Sequence, residues 1–190
     1  MKGNLTKLIA ALAVAIMLFS GCGSIDSDTK PQEDPYPDYV PLVFSSVDEL
    51  ADAIKNADSM ENGRGKSLLE TLEYFYAPAQ TPEKYKLSYV EVLEHNIIFC
   101  YVPDHADGQS RERIQYIYFR GDKVTDDSDP FSVVLEQYDL TPTAEGLAYS
   151  EKDNSMFFRV GNSRMHVTVP DSLNSFAQMK KLCTAMLVEP

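Results

Sequence analysis

The chain has 190 residues, of which 44% are hydrophobic and 24% are charged, and its formal net charge at pH 7 is −12. A protein this acidic does not neutralise a phosphate backbone, so the composition excludes nucleic acid as an expected partner. The length is sufficient for one sizeable hydrophobic core, and no internal repeat points to more than one domain.

The first predicted element is a short apolar segment at the N-terminus. Lys2 and Lys7 precede an unbroken apolar run over residues 8–19, and small residues follow it. A membrane-spanning helix needs about 18 or more apolar residues, and this run is shorter. A basic start, a short apolar stretch and small residues are typical of an export signal, so residues 1–21 are predicted to be a signal peptide that forms a helix.

A cysteine directly follows the small residues of this segment. Residues 18–22 have the sequence LFSGC and resemble the lipobox of bacterial lipoprotein precursors, with Phe19 where a smaller aliphatic residue is usual. The resemblance implies that Cys22 carries a diacylglyceryl group on its sulfur and becomes the new N-terminus. Because two acyl chains anchor stably, the protein is expected on the extracytoplasmic face of the cell membrane. The alternative is an ordinary signal peptide for which Cys22 is incidental.

Residues 22–41 are predicted to be the lipidated cysteine and a disordered tether. Prolines disfavour helices and central strands, and like charges extend the chain. The segment carries four prolines and five acidic residues: Pro31, Pro35, Pro37, Pro41, Asp26, Asp28, Glu33, Asp34 and Asp38. Removal of residues 1–21 takes away two lysines and no acid, which moves the net charge to −14. Anionic lipid repels such a protein, so the acyl chains must hold it at the membrane.

Residues 42–190 are predicted to be a single α+β domain that opens with a strand at 42–44. Ser46 and Glu49 have the spacing of a capping box, which predicts a helix with an apolar stripe that ends at Ile54. A second helix is predicted over residues 66–76, ended by Pro78.

The middle of the domain is rich in strand-forming residues. Residues 86–93 and 96–102 predict two strands joined by a tight turn at Glu94 and His95, and residues 113–120 predict a third. Asp129 and Pro130 then predict the start of a short helix.

The last third predicts strands over 147–150, 156–160 and 163–169, with a tight turn between the last two. In the last strand Arg164, His166 and Thr168 alternate with apolar residues, which predicts that they face water. A closing helix from Asp171 or Ser172 has an apolar stripe that runs as far as Met186. The short links favour antiparallel pairing, so we expect an antiparallel sheet of about six strands with helices packed on one face.

Three segments carry a second resemblance. The sequences LEYFYAP at residues 72–78, YVEV at 89–92 and MKKL at 179–182 are similar to those of uncharacterised exported lipoproteins of Gram-positive gut bacteria. In that group a helix ends in an aromatic-proline segment and leads into a meander of strands. The group has no assigned activity, so the resemblance implies a fold and no chemistry.

No catalytic motif is present in the sequence. His95, His105 and His166 lack metal-ligand spacing, so we expect no metal and no cofactor. The acidic loops at 104–107 and 126–129 lack the spacing of calcium loops and are interpreted as solvated turns and caps. Cys100 and Cys183 are expected to be buried free thiols, with a disulfide as the alternative.

Aromatic residues supply the one candidate ligand-binding set. Tyr89, Tyr116 and Tyr118 fall in predicted strands, where an exposed platform would bind a ligand, and His166 is added as a water-facing neighbour. Core packing is the alternative for the tyrosines. The favoured function is a membrane-anchored, non-enzymatic binding or interaction module with a protein or cell-wall partner. An exported hydrolase with a carboxylate-based site and a structural accessory of a membrane complex are the alternatives.

Overall fold

The computed structural model describes residues 42–60, 63–106, 110–120, 141–143 and 146–190. The predicted signal peptide, Cys22, the tether and the helix predicted at Asp129 lie outside these residues. None of the helices within the described ranges has the length and apolarity needed to cross a membrane.

Most of the described residues belong to two antiparallel sheets. The strands are β1 Leu42–Phe44, β2 Phe75–Pro78, β3 Tyr85–Val92, β4 Asn96–Pro103, β5 Ile114–Phe119, β6 Thr141–Pro142, β7 Leu147–Ser150, β8 Ser155–Val160, β9 Ser163–Thr168 and β10 Ala185–Val188. Eight of them form one sheet in the order β1-β3-β4-β5-β9-β8-β7-β6, and β10 and β2 form the second sheet. A sheet-rich α+β fold is therefore confirmed, while the expected count of about six strands is too low.

Three α-helices accompany the sheets in the described ranges: α1 Val47–Lys55, α2 Arg64–Glu70 and α3 Phe176–Leu182. The Ser46 side chain caps α1 by accepting from the backbone N–H of Glu49 at 3.0 Å, as predicted. The Glu49 carboxylate accepts from the backbone N–H of Ser45 at 2.7 Å, one residue before the position that a capping box uses.

The core lies between one face of the large sheet and the helices. Its central strands contribute Val90, Ile97, Phe99, Tyr116 and Val167, and the facing elements contribute Leu50, Leu69, Phe75 and Met179. The rings of Phe75 and Phe99 stack with 6.4 Å between their centroids. The small sheet therefore packs into the core beside the helices.

Two predicted helices are shorter than expected because their ends form the small sheet. The helix predicted over residues 66–76 ends at Glu70, and β2 follows it after a turn. The closing helix ends at Leu182, so Met186 lies in a strand. Val188 pairs with Phe75 and Ala185 pairs with Pro78. These pairings join segments that are far apart in sequence, and local periodicity does not report such contacts.

The second face of the large sheet is buried at Arg164 and His166, which corrects the prediction that these two residues face water, while Thr168 on the same face is half-buried. Arg164 is 8% exposed and His166 is 6% exposed. Phe157 and Cys100 on the same face are fully buried. Alternation of polar and apolar residues distinguishes the two faces of β9, but it does not establish which of them is solvated.

Candidate functional site

A cleft of about 350 Å³ opens at one end of the large sheet. Within the part of the chain that the structure describes, eight residues line it: Thr71, Leu72, Glu73, Tyr74, Glu94, His95, Tyr118 and Arg120. They come from three places in the chain, namely the turn between α2 and β2, the hairpin between β3 and β4, and the end of β5. The cleft therefore forms only when these segments are brought together by the fold.

The end of β5 is fixed to the β3–β4 hairpin by the backbone. The backbone N–H of Arg120 donates to the carbonyl oxygen of His95 at 2.7 Å. The first residue of the hairpin loop, Leu93, is closed onto Asn96 by a backbone hydrogen bond of 2.8 Å. These bonds place the Arg120 side chain beside the hairpin and next to the C-terminal end of α2.

The guanidinium of Arg120 is held by two hydrogen bonds. Its Nη1 donates to the carbonyl oxygen of Leu93 at 3.2 Å, and its Nη2 donates to Oγ1 of Thr71 at 2.6 Å. Oγ1 of Thr71 in turn donates to the carbonyl oxygen of Leu68 at 2.7 Å, which orients the hydroxyl. Both Arg120 bonds are made to neutral oxygens, so the positive charge stays uncompensated by a carboxylate within the described residues.

Burial lowers the pKa of Arg120 because the charged guanidinium loses part of its hydration. An arginine remains protonated at physiological pH even so. A guanidinium has five N–H donors, and the two hydrogen bonds just described leave others for a bound molecule. The Arg120 side chain is thus a fixed, partly desolvated cation at the wall of an open cleft.

Tyr74 and Tyr118 add aromatic rings to the lining of the cleft. Tyr74 is 49% exposed and contacts Tyr76 edge to face, with 6.3 Å between ring centroids. Tyr76 contacts Tyr118 in the same way at 5.8 Å. Burial raises the pKa of Tyr118. The ring of Tyr76 supports Tyr74, which is part of the cleft lining and offers an aromatic surface to solvent.

Acidic side chains complete the cleft. Glu73 and Glu94 both line it, and both are exposed. Among the described lining residues, Arg120 is a cation and Glu73 and Glu94 are carboxylates. The cleft therefore offers both signs of charge within a small volume.

The four residues of the predicted ligand-binding set are not brought together. Tyr118 lines the cleft but is only 4% exposed. Tyr116 is 1% exposed and lies in the core, which agrees with the alternative interpretation that the tyrosines are packing residues. Tyr89 and His166 lie on the opposite face of the large sheet. A binding role for this set stays a prediction, and the cleft shares only Tyr118 with it.

The residues that matter most in the cleft were not singled out from the sequence. Tyr74 was predicted to lie in a helix, whereas it precedes β2. Arg120 was predicted as the last residue of a strand, and nothing in its neighbourhood identifies Thr71 or Leu93 as partners. A useful signal was an arginine directly after a tyrosine-rich strand, since such a residue lies at the end of the sheet where loops converge.

A row of stacked side chains lies on the face of the large sheet opposite the core. His166 stacks on Phe157 with 4.0 Å between ring centroids and 8° between planes, and Phe157 stacks on Phe119 at 6.2 Å. The guanidinium carbon of Arg164 lies 5.2 Å from the Phe119 ring centroid. Burial lowers the pKa of His166 to about 4, against an opposing effect of Asp153. The imidazole is therefore neutral near pH 7 and stacks on Phe157 in this form.

The cysteines are free thiols on different faces of the sheet. Cys100 is buried on the face opposite the core, and Cys183 caps α3, with its sulfur 3.2 Å from the sulfur of Met156. The sheet separates the two sulfurs, so the alternative of a disulfide is not realised. Among the described residues, no group of three or more His, Cys, Asp or Glu side chains is arranged to hold a metal ion.

No family model, curated protein or solved structure matches this chain. Inference about its function therefore depends on the chemistry of its own side chains.

Proposed function

We propose that this protein is a lipid-anchored, extracytoplasmic, non-enzymatic binding module that holds a small ligand in the cleft beside Arg120 and Tyr74. The sequence of residues 18–22 supports the anchor, and the proline-rich segment after it supports a tether that lets the domain reach a ligand or a cell-wall partner. The cleft supports the binding role.

The observation that carries the binding proposal is the state of Arg120. Its side chain lines the cleft and is positioned by two hydrogen bonds to neutral oxygens, which leave other N–H donors of the guanidinium for a ligand. Fixing a partly desolvated cation in advance reduces the ordering cost when a ligand binds. An exposed aromatic ring beside a few oriented polar groups is the usual composition of a small-molecule site.

The anchor is tested by substitution of the cysteine. Cys22→Ser is expected to abolish labelling by an alkyne analogue of palmitate and to release the domain from membranes or leave its precursor uncut. Ser27→Ala in the tether is the matched control and is expected to label like the wild type. An intact mass of the wild-type protein that starts at Met1 or Ser24 would contradict the anchor.

The binding role is tested separately by photo-crosslinking in cells. A benzophenone amino acid replaces Tyr74 at the cleft mouth in one variant and Val43, an exposed residue of β1, in the other. Irradiation is expected to add a discrete mass to the first variant and none to the second. Equal adducts at both positions, or none at either, would count against a ligand in the cleft.

A further inference from the structure

We infer that the ligand of this cleft is a small zwitterion, an α-amino acid or a short peptide, whose carboxylate binds Arg120 and whose ammonium binds Glu73. The inference rests on the proposed function, because it names the ligand class for the same cleft. Three features of the lining lead to it, namely a fixed guanidinium, a nearby carboxylate and an exposed ring.

The guanidinium selects a carboxylate. Its planar fork matches the two oxygens of a carboxylate, and charge-assisted hydrogen bonds of this kind are about twice as strong as neutral ones. Arg120 has only neutral oxygens as partners within the described ranges. Burial has already removed part of its hydration, so an anionic group that enters the cleft replaces lost solvation at a site that is already formed.

The glutamates disfavour a ligand that is only anionic. Glu73 and Glu94 line the same cleft as Arg120, and the chain as a whole carries a formal charge of −12. A phosphate dianion would gain one cation and meet the carboxylate of Glu73, in a protein that already repels anions. A zwitterion gains from both signs of charge. We assign the ammonium to Glu73, an exposed side chain directly before Tyr74.

The exposed ring and the volume limit the rest of the ligand. Tyr74 is 49% exposed, and its edge contact with Tyr76 restrains it, so it offers a ready surface to an apolar or aromatic side chain. The cleft volume of about 350 Å³ lies at the lower end of the range for small-molecule pockets. One amino acid or a dipeptide with an apolar side chain suits these limits.

The experiment measures binding of defined probes to the purified full-length protein in detergent by calorimetry and thermal shift. The probes are phenylalanine, the dipeptide Gly-Phe, N-acetylphenylalanine, which lacks the ammonium, and phenylalaninamide, which lacks the carboxylate. We expect phenylalanine or Gly-Phe to bind at least about tenfold more tightly than either probe that lacks one charge. Tighter binding of phenylalanine than of Gly-Phe would indicate that the natural ligand is a free amino acid, and the reverse order would indicate a peptide.

Variants assign each charge to its side chain. Glu73→Gln is expected to weaken the binding of phenylalanine about tenfold and to leave the affinity for N-acetylphenylalanine unchanged, because only phenylalanine has an ammonium group. Tyr74→Ala is expected to weaken the binding of both phenylalanine and N-acetylphenylalanine. Glu83→Gln, an exposed glutamate that lines a different cleft, is the matched control and is expected to change nothing. These three residues are exposed, so the test does not depend on variants of Arg120, whose hydrogen bonds also support the fold.

Two results overturn the inference, and they differ in what they say about the proposed function. Equal affinities for phenylalanine and N-acetylphenylalanine, with no effect of Glu73→Gln, would refute a zwitterion. If a sugar or phosphate then binds in a way that requires Tyr74, the cleft is still a binding site for another class of ligand. If no probe binds and crosslinking at position 74 adds no mass, the inference and the binding role fail together.

Discussion

The buried imidazole of His166 makes the stability of this domain depend on pH. His166 is 6% exposed and stacks on Phe157, so protonation would place a cation on an almost fully desolvated ring. The perturbation is to lower the pH from neutral to about pH 5 and to compare the wild type with His166→Phe, which keeps the stacking and removes the titration.

The sign and size of this change in stability follow from the pKa of His166 in the folded and in the unfolded protein. Burial lowers the pKa of His166 from 6.5 to about 4 in the folded protein. The unfolded chain therefore takes up the proton first, so the contribution to stability is fully present above about pH 6.5 and is lost as the pH falls toward 4. One pKa unit corresponds to about 1.4 kcal/mol, which gives a loss of about 2 kcal/mol between neutral pH and pH 5.

Urea unfolding followed by circular dichroism measures this loss. The free energy of unfolding is determined for both proteins at several pH values, and the quantity of interest is the difference between them. That difference is expected to change by about 2 kcal/mol, with the wild type losing more stability on acidification. Asp153→Asn is expected to leave the loss between neutral pH and pH 5 nearly unchanged and to extend the loss below about pH 4, since Asp153 favours the charged imidazole. Parallel pH curves for the wild type and His166→Phe would refute the reasoning.

Three further predictions follow from single contacts. Gly161→Ala should lower the free energy of unfolding at least about 1 kcal/mol more than Gly146→Ala, because both glycines have positive φ but only at 161 would a Cβ overlap a tyrosine hydroxyl. Thr71→Val should lower the free energy of unfolding in urea by about 1–2 kcal/mol, since it removes the 2.6 Å hydrogen bond from the Arg120 guanidinium. Thr71→Ser keeps the hydroxyl and should lower that free energy by less. Cys100 and Cys183 should resist iodoacetamide in the folded protein at about pH 8, because burial raises the pKa of both thiols, to about 12 for Cys183.

Each of these has a result that contradicts it. Equal losses for the two glycine variants would mean that the β8–β9 turn has room for a methyl group. A Thr71→Val variant as stable as the wild type would show that the hydrogen bond from Arg120 contributes nothing measurable to stability. Mass spectrometry that finds either thiol alkylated as fast in the native protein as in urea would show that it is accessible.

Local sequence signals predicted the elements that depend on neighbouring residues. The cap at Ser46 forms because a hydroxyl reaches a backbone N–H three residues on. The turn at Gly161 forms because φ there is positive, and strands β8 and β9 follow from it. These are interactions of short range, so a window of a few residues contains all the participants.

Pairing between distant segments was not predictable in this way. The aromatic sequence around Phe75 is compatible with a helix or a strand, and it becomes β2 because the segment that ends at Val188 pairs with it. Helical periodicity around Met186 is likewise overridden by strand pairing in the tertiary structure. The burial of His166 belongs to the same class, since strand alternation does not determine which face is covered.

The sequence by itself determined the acidic charge, the α+β class, the cap at Ser46, the turn at Gly161 and the expectation of a lipid anchor at Cys22, because each depends on composition or on adjacent residues. The closing helix is capped by Ser175 and not by Asp171 or Ser172 as predicted. The tertiary structure decided where the cleft lies and what it contains. Arg120, Thr71 and Tyr74 come from two segments about fifty residues apart, and only the folded chain places a guanidinium, a hydroxyl and an exposed ring around one cleft. The sequence specifies which side chains are present, but a binding site also requires that they lie close together in space. Packing between distant segments of the chain brings them together.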